Sequence, residues 1–256
     1  MLHFKKLGEG EPLLILHGVF GSLDNWQTLG STLSKDFTVY LIDLRNHGKS
    51  FHSDTFNYAA MADDIEELTQ AENFGNINLM GHSMGGKVAM NVACRHSELV
   101  KSLIVVDISP KYYKPHHQHI FEGIRAVQVK QLNSRQEADQ QMSSKISDFG
   151  IRQFILKNLK RENGEFQWKL NVEVIEKNIE KIGEALPENY SYGGPTLFIK
   201  GGKSDYITES DGEVIKRHFP LCEVAEIPDA GHWVHAEQPQ KLLKRVNDFL
   251  QKMDFE

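Results

Sequence analysis

The chain has 256 residues, enough for one domain with a single core and a sizeable insertion. Apolar residues make up 40% and charged residues 25%, the balance of a soluble globular protein. The 29 basic and 35 acidic residues leave a net charge of -6, which gives no support for the clustered positive charge of a nucleic-acid surface. Two cysteines, Cys94 and Cys222, cannot build a secreted disulfide framework. No secretory signal is visible, and no run approaches the ~20 apolar residues of a membrane span. The expectation is a cytoplasmic protein with no membrane span.

In chain order, residues 2–7 alternate loosely, and residues 13–16 form an apolar run that ends at His17-Gly18. Asp24 stands where it can cap a helix entered through Trp26 and Leu29. A strand pattern over 37–44 leads into a polar loop, Asp43 to Ser50, in which Asp43 and Arg45 are placed to pair and brace a cleft wall. Tyr58, Met61, Ile65 and Leu68 recur at helical spacing. Residues 77–80 form an apolar run into Gly81, and a helix rich in small and apolar residues follows over 84–96. Residues 103–108 are nearly all apolar.

After Pro110 the pattern changes. Residues 111–192 are rich in Gln, Lys, Glu and Asn, with helical stripes at Phe121 and Ile124, at Ile151, Phe154, Ile155 and Leu159, and at Val172, Ile175, Ile179 and Ile182. Short amphipathic helices must bury their stripes against another surface. Strand behaviour resumes over 196–199 and 222–227, and Leu242, Val246 and Phe249 or Leu250 form a terminal helix after Pro239. Repeated strand–helix units predict an α/β fold with a mostly parallel, doubly wound sheet. The predicted core is 1–110 together with 193–256, and 111–192 is an inserted helical cap.

The chemistry gathers at strand ends. Gly81-His82-Ser83-Met84-Gly85 matches the G-x-S-x-G pattern between a strand and a helix. A serine on that turn presents its hydroxyl to a cleft, and the flanking glycines permit close backbone approach. The helix start beside it offers unpaired N–H groups. The loop His17-Gly18-Val19-Phe20-Gly21 can bring a second N–H, so Val19 and Met84 are the expected oxyanion donors, with Phe20 the neighbouring alternative to Val19. His17 reads as a residue that orders this loop. A serine needs a base, and His232 in Gly231-His232-Trp233 follows the last strand, with His235 the weaker candidate. The acid that orients the base is expected to be Asp205, after Gly201-Gly202, with Asp107 as its rival; both follow Ser83 and precede His232. Phe20, Trp26, Phe121, Phe154 and Trp168 are candidates for an acyl pocket. His116, His117 and His119 are too crowded, and too poor in neighbouring carboxylates, to make a convincing metal site.

Together these motifs resemble the α/β-hydrolase superfamily, and more narrowly small bacterial esterases of the YbfF type. The residues that carry the resemblance are Gly81 to Gly85, His17-Gly18, Asp43 to Gly48, Asp107-Ile108-Ser109-Pro110, Gly202 to Asp205 and Gly231-His232-Trp233. The resemblance implies a sheet of about eight strands with a helical cap and a triad of Ser83, Asp205 and His232. It also implies Val19 and Met84 as oxyanion donors and no required cofactor. Some relatives place the acid after the preceding strand, which keeps Asp107 open. Asn46 stands where many relatives have glycine. The implied substrate is a short to medium acyl ester. A thioesterase or a carbon–carbon bond hydrolase would use the same triad. A binding protein on this scaffold is the alternative of another class.

Overall fold

The computed structural model describes residues 1–253. Seven strands form the main sheet: β1 (His3–Leu7), β2 (Glu11–Leu16), β3 (Phe37–Asp43), β4 (Ile77–His82), β5 (Val100–Val106), β8 (Thr196–Gly201) and β9 (Cys222–Ile227). Their order is β1-β3-β2-β4-β5-β8-β9, with β1 antiparallel to β3 and the other pairs parallel. That is one strand fewer than the resemblance implied. A pleated strand turns successive side chains to opposite faces, and the two cores divide accordingly. Leu14, Leu16, Leu79, Leu103 and Val105 pack toward α2 (Tyr58–Ala71) and α3 (Met84–Arg95). Leu13, Ile15, Met80, Ile104 and Val106 pack toward α1 (Gln27–Leu33) and the C-terminal helix α11 (Pro239–Met253). Each such side chain taken fully out of water contributes ~1.5–3 kcal/mol, which is why these runs fold as central strands.

Strand order reverses direction at β2, whose neighbours are β3 on one side and β4 on the other. Open parallel sheets bind ligands in the crevice beyond the strand ends at such a point. Here that crevice lies between the loop after β2, which carries His17 and Gly18, and the turn after β4, which carries Ser83.

The segment 111–192 contains α4 (Gln118–Ala126), α5 (Arg135–Ser143), α6 (Phe149–Leu156), a hairpin of β6 (Leu159–Glu162) and β7 (Glu165–Trp168), α7 (Val172–Lys177) and α8 (Ile179–Gly183). Two details depart from the helical stripes. Leu159 begins β6 and pairs with Trp168 rather than extending α6. The stripe from Val172 to Ile182 is split at Asn178, which leaves helical geometry and donates from Nδ2 to Val174 O at the end of α7. Ile120, Phe121, Ile124, Met142, Ile155 and Ile175 of this segment join the core on the α2–α3 face.

Polar ties fix the segment as well. Lys87 on α3 is buried and donates from Nζ to Lys111 O and to Glu184 O, both at 2.6 Å. Its ammonium lies near the Tyr58 and Tyr113 rings, and burial lowers its pKa to about 7. Asn158 Nδ2 donates to Phe20 O at 2.6 Å, joining the segment to the loop after β2. After β8 come α9 (Gly212–His218), β9, the short α10 (Val234–Glu237) and α11.

Candidate active site

Ser83 stands between the last residue of β4 and the first of α3, with φ +54° and ψ −120°. A non-glycine residue held there costs ~1–3 kcal/mol, and the surroundings over-determine it. Its N–H donates to Val106 O at 3.0 Å, and its carbonyl accepts from Lys87 N–H at 3.1 Å. The glycines are sterically required. A Cβ on Gly81 would lie 2.1 Å from Gly85 O, and one on Gly85 would lie 2.5 Å from both His17 O and Leu16 O. The elbow therefore presses directly against the end of β2.

His232 bridges two groups. Its Nε2 lies 3.0 Å from Ser83 Oγ, and its Nδ1 lies 2.7 Å from Asp107 Oδ2. An ionised carboxylate only accepts, so Nδ1 carries the proton and Nε2 is free to accept from the serine hydroxyl. Asp107 is fully buried at the end of β5, with φ +52°. It also accepts from Gly201 N–H at 2.9 Å and from the Ser204 hydroxyl.

This corrects the expected acid. Asp205 is exposed, and among the described residues it makes no hydrogen bond to His232. The loop after β8 instead contributes Ser204, which touches Asp107, and Tyr206, whose ring stacks on His232 at 3.7 Å and 13°. Burial pushes the Tyr206 phenol up to about 12, which keeps it neutral. Neither residue stood out in the sequence; a hydroxyl and an aromatic ring two residues apart after a strand are too common a pattern. His82, inside the nucleophile motif, donates from Nε2 to His232 O at 2.8 Å and so ties the base to the elbow.

The loop after β2 is held by two buried, neutral histidines. His17 donates from Nδ1 to Gly18 O at 2.8 Å, and its Nε2 accepts from Leu44 N–H at 3.0 Å. His47 donates from Nδ1 to Arg45 O at 2.9 Å, and its Nε2 accepts from Phe20 N–H at 3.3 Å. Burial lowers their pKa values to about 4 and about 3. Phe20 N–H is thus already engaged. Val19 and Met84 N–H donate to no protein group among the described residues. Asp43 and Arg45 do not pair with each other, contrary to expectation. Arg45 makes a bidentate contact with Asp64 at 2.6 and 2.7 Å, while Asp43 accepts from the backbone of Leu23 and Lys49. Asn46 adopts φ +65°, a left-handed conformation that asparagine tolerates and glycine prefers.

A cavity of about 240 Å³ opens at Ser83. Phe20, Trp26 and Phe154 line it, joined by His116, His117, His119 and His235. Two of the aromatic residues expected there do not. Phe121 is buried behind Phe20, in an edge contact at 5.3 Å, and Trp168 packs in the hairpin opposite Leu159. Their apolar bulk was legible in the sequence; the direction in which it faces was not. Among the described residues no helix is long and apolar enough to cross a membrane.

A serine on a strained elbow, bridged by a histidine to a buried carboxylate, is the arrangement of acyl-transfer hydrolases. The model of the alpha/beta hydrolase fold family matches residues 11–239. The chain belongs to that family. The sn-1-specific diacylglycerol lipase ABHD11 of Danio rerio is 38% identical over 258 residues, spanning 97% of this chain and 81% of that protein. Esterase YbfF of Escherichia coli is 36% identical over 93% of this chain and 92% of its own length. The solved structure of a marine microorganism esterase superposes with a TM-score of 0.94 at 42% identity, covering 97% of this chain and 98% of that one. This member of the family is an ester-cleaving hydrolase of the serine type.

Proposed function

We propose that the protein is a carboxylesterase of short to medium acyl esters that works through an acyl-enzyme on Ser83. The observation that carries this is the single imidazole of His232, placed 3.0 Å from Ser83 Oγ and 2.7 Å from Asp107 Oδ2. In this reading Ser83 Oγ attacks the ester carbonyl and passes its proton to His232 Nε2. Asp107 holds the tautomer and stabilises the imidazolium that forms. The N–H groups of Val19 and Met84 receive the oxyanion, since Phe20 N–H is committed to His47. The protonated base releases the alcohol, and water activated by the same imidazole frees the acid. No step asks for a cofactor.

In the same proposal residues 111–192 act as a cap on a core of 1–110 and 193–256, because Ile120, Ile151, Phe154 and Ile155 of the segment line the cavity at Ser83. A cytoplasmic setting is proposed with it; the unpaired thiols of Cys94 and Cys222 suit a reducing compartment. The test is labelling by a serine-directed fluorophosphonate, with p-nitrophenyl ester turnover measured in parallel. Wild type is expected to label and turn over, and Ser83→Ala to do neither. Labelling or turnover retained in Ser83→Ala overturns the mechanism.

A further inference from the structure

Ser83 lies where two cavities meet. The larger, about 240 Å³, has apolar walls from Phe20, Trp26, Ile120, Ile151, Phe154 and Trp233. The smaller, about 30 Å³, is walled by Tyr58, Ile108, Tyr113, Ile179 and Ile182. Val19, Ser83, His116, His117 and Tyr206 border both. The rings of His116, His117 and Tyr206 form a connected partition: His116 stacks on His117 at 4.5 Å, and its Nε2 lies 3.3 Å from the Tyr206 hydroxyl. An apolar cavity of ~150 Å³ already holds a benzene molecule, so the larger space takes a ring or an extended chain, and the smaller, about one-eighth of its volume, takes only a short group.

The path of the proton decides which half of an ester enters which space. As the bond from Ser83 Oγ to the carbonyl carbon forms, the serine proton moves to His232 Nε2. The bond from that carbon to the alkoxy oxygen then breaks, and the proton passes from Nε2 to the departing oxygen. That oxygen must sit within hydrogen-bond reach of Nε2. His232 borders the larger cavity and not the smaller, whereas Met84 borders the smaller and not the larger. The alcohol half is thus directed into the larger space, and the substituent on the acyl carbon is left the smaller one, away from Nε2.

We propose that the preferred substrate joins a small acyl group, about the size of acetyl, to a large apolar alcohol. The inference rests on the roles of Ser83 and His232 proposed above and narrows the acyl range to its short end. Octyl acetate and ethyl octanoate test it, because they are isomers that differ only in which half carries the long chain. Octyl acetate is expected to have the higher kcat/KM by at least about tenfold, the discrimination that a few misplaced methylenes produce. Ile182→Ala, which widens the smaller cavity, is expected to narrow that ratio by raising turnover of ethyl octanoate. Equal turnover of the isomers, or faster turnover of ethyl octanoate, by protein that still labels at Ser83 with fluorophosphonate overturns the assignment of the halves and leaves the esterase reading standing. Absence of both labelling and turnover overturns the esterase reading itself.

Discussion

A carboxylate without exposed surface needs donors for its lone pairs, and Asp107 receives three, from His232 Nδ1, Gly201 N–H and the Ser204 hydroxyl. Removing its charge leaves the imidazole in the wrong tautomer. Asp107→Asn is therefore expected to lower kcat by on the order of 10³–10⁴-fold. Asp205→Asn, on an exposed loop position, should stay within about twofold of wild type in the same assay. Ser204→Ala removes a charge-assisted bond to Asp107, and a loss of about tenfold in kcat with little change in KM is expected from steady-state kinetics. The turns that bring Ser83 and His232 together were legible in the sequence because glycines mark them. The carboxylate beside His232 was not. Asp107 and Asp205 both follow a strand and both satisfy the chain order, and they differ only in burial and in the direction of the side chain. Those are set by β5 lying beside β4 while β8 is one strand further out.

At the scale of elements, the central strands were legible because buried parallel strands are apolar on both faces, whereas β1 and β9 showed only as alternation. The hairpin was not read, since β6 and β7 have four residues each and carry charges such as Lys160, Arg161, Glu162 and Glu165. Its turn did carry a signal: Asn163-Gly164 adopts φ +51° and +87°, the pairing that closes two-residue hairpins. Lys87 is the element-scale tie, bonded to the carbonyl of Lys111 at the start of the insertion and to that of Glu184 just after α8. Lys87→Met fills much of the same volume but leaves Lys111 O and Glu184 O without that donor, at about 1–3 kcal/mol each. Faster proteolytic cleavage within 111–192, with the remaining core still intact on a gel, is the expected result. Unchanged cleavage would show that apolar packing alone holds the insertion.

For the whole molecule, the buried histidines set an acid limit. His17 and His47 have folded-state pKa values of about 4 and about 3, below the ordinary 6.5. Between pH 6.5 and 4 the unfolded chain binds both protons and the folded chain binds neither, so stability is full above pH 6.5 and falls as the pH drops. Each site contributes a slope of about 1.4 kcal/mol per pH unit. Urea midpoints measured from pH 7 to pH 4 should decline accordingly, and His47→Gln should flatten the profile. Because these rings hold the loop of Val19 in place, loss of the fold at low pH is expected to take esterase activity with it.

The bond pattern of Lys87 also bears on how the excursion from the sheet is closed. The chain leaves the sheet after Val106 and rejoins it at Thr196, and between them the carbonyls of Lys111 and Glu184 converge on one side-chain nitrogen. Ser83, Asp107 and His232 sit at the ends of β4 and β5 and in the loop after β9, outside the stretch between those two carbonyls. Whatever spans the gap must therefore bring two carbonyls back to that amine. Lys87 works as a clasp, closing the excursion onto α3 beside the turn that carries Ser83.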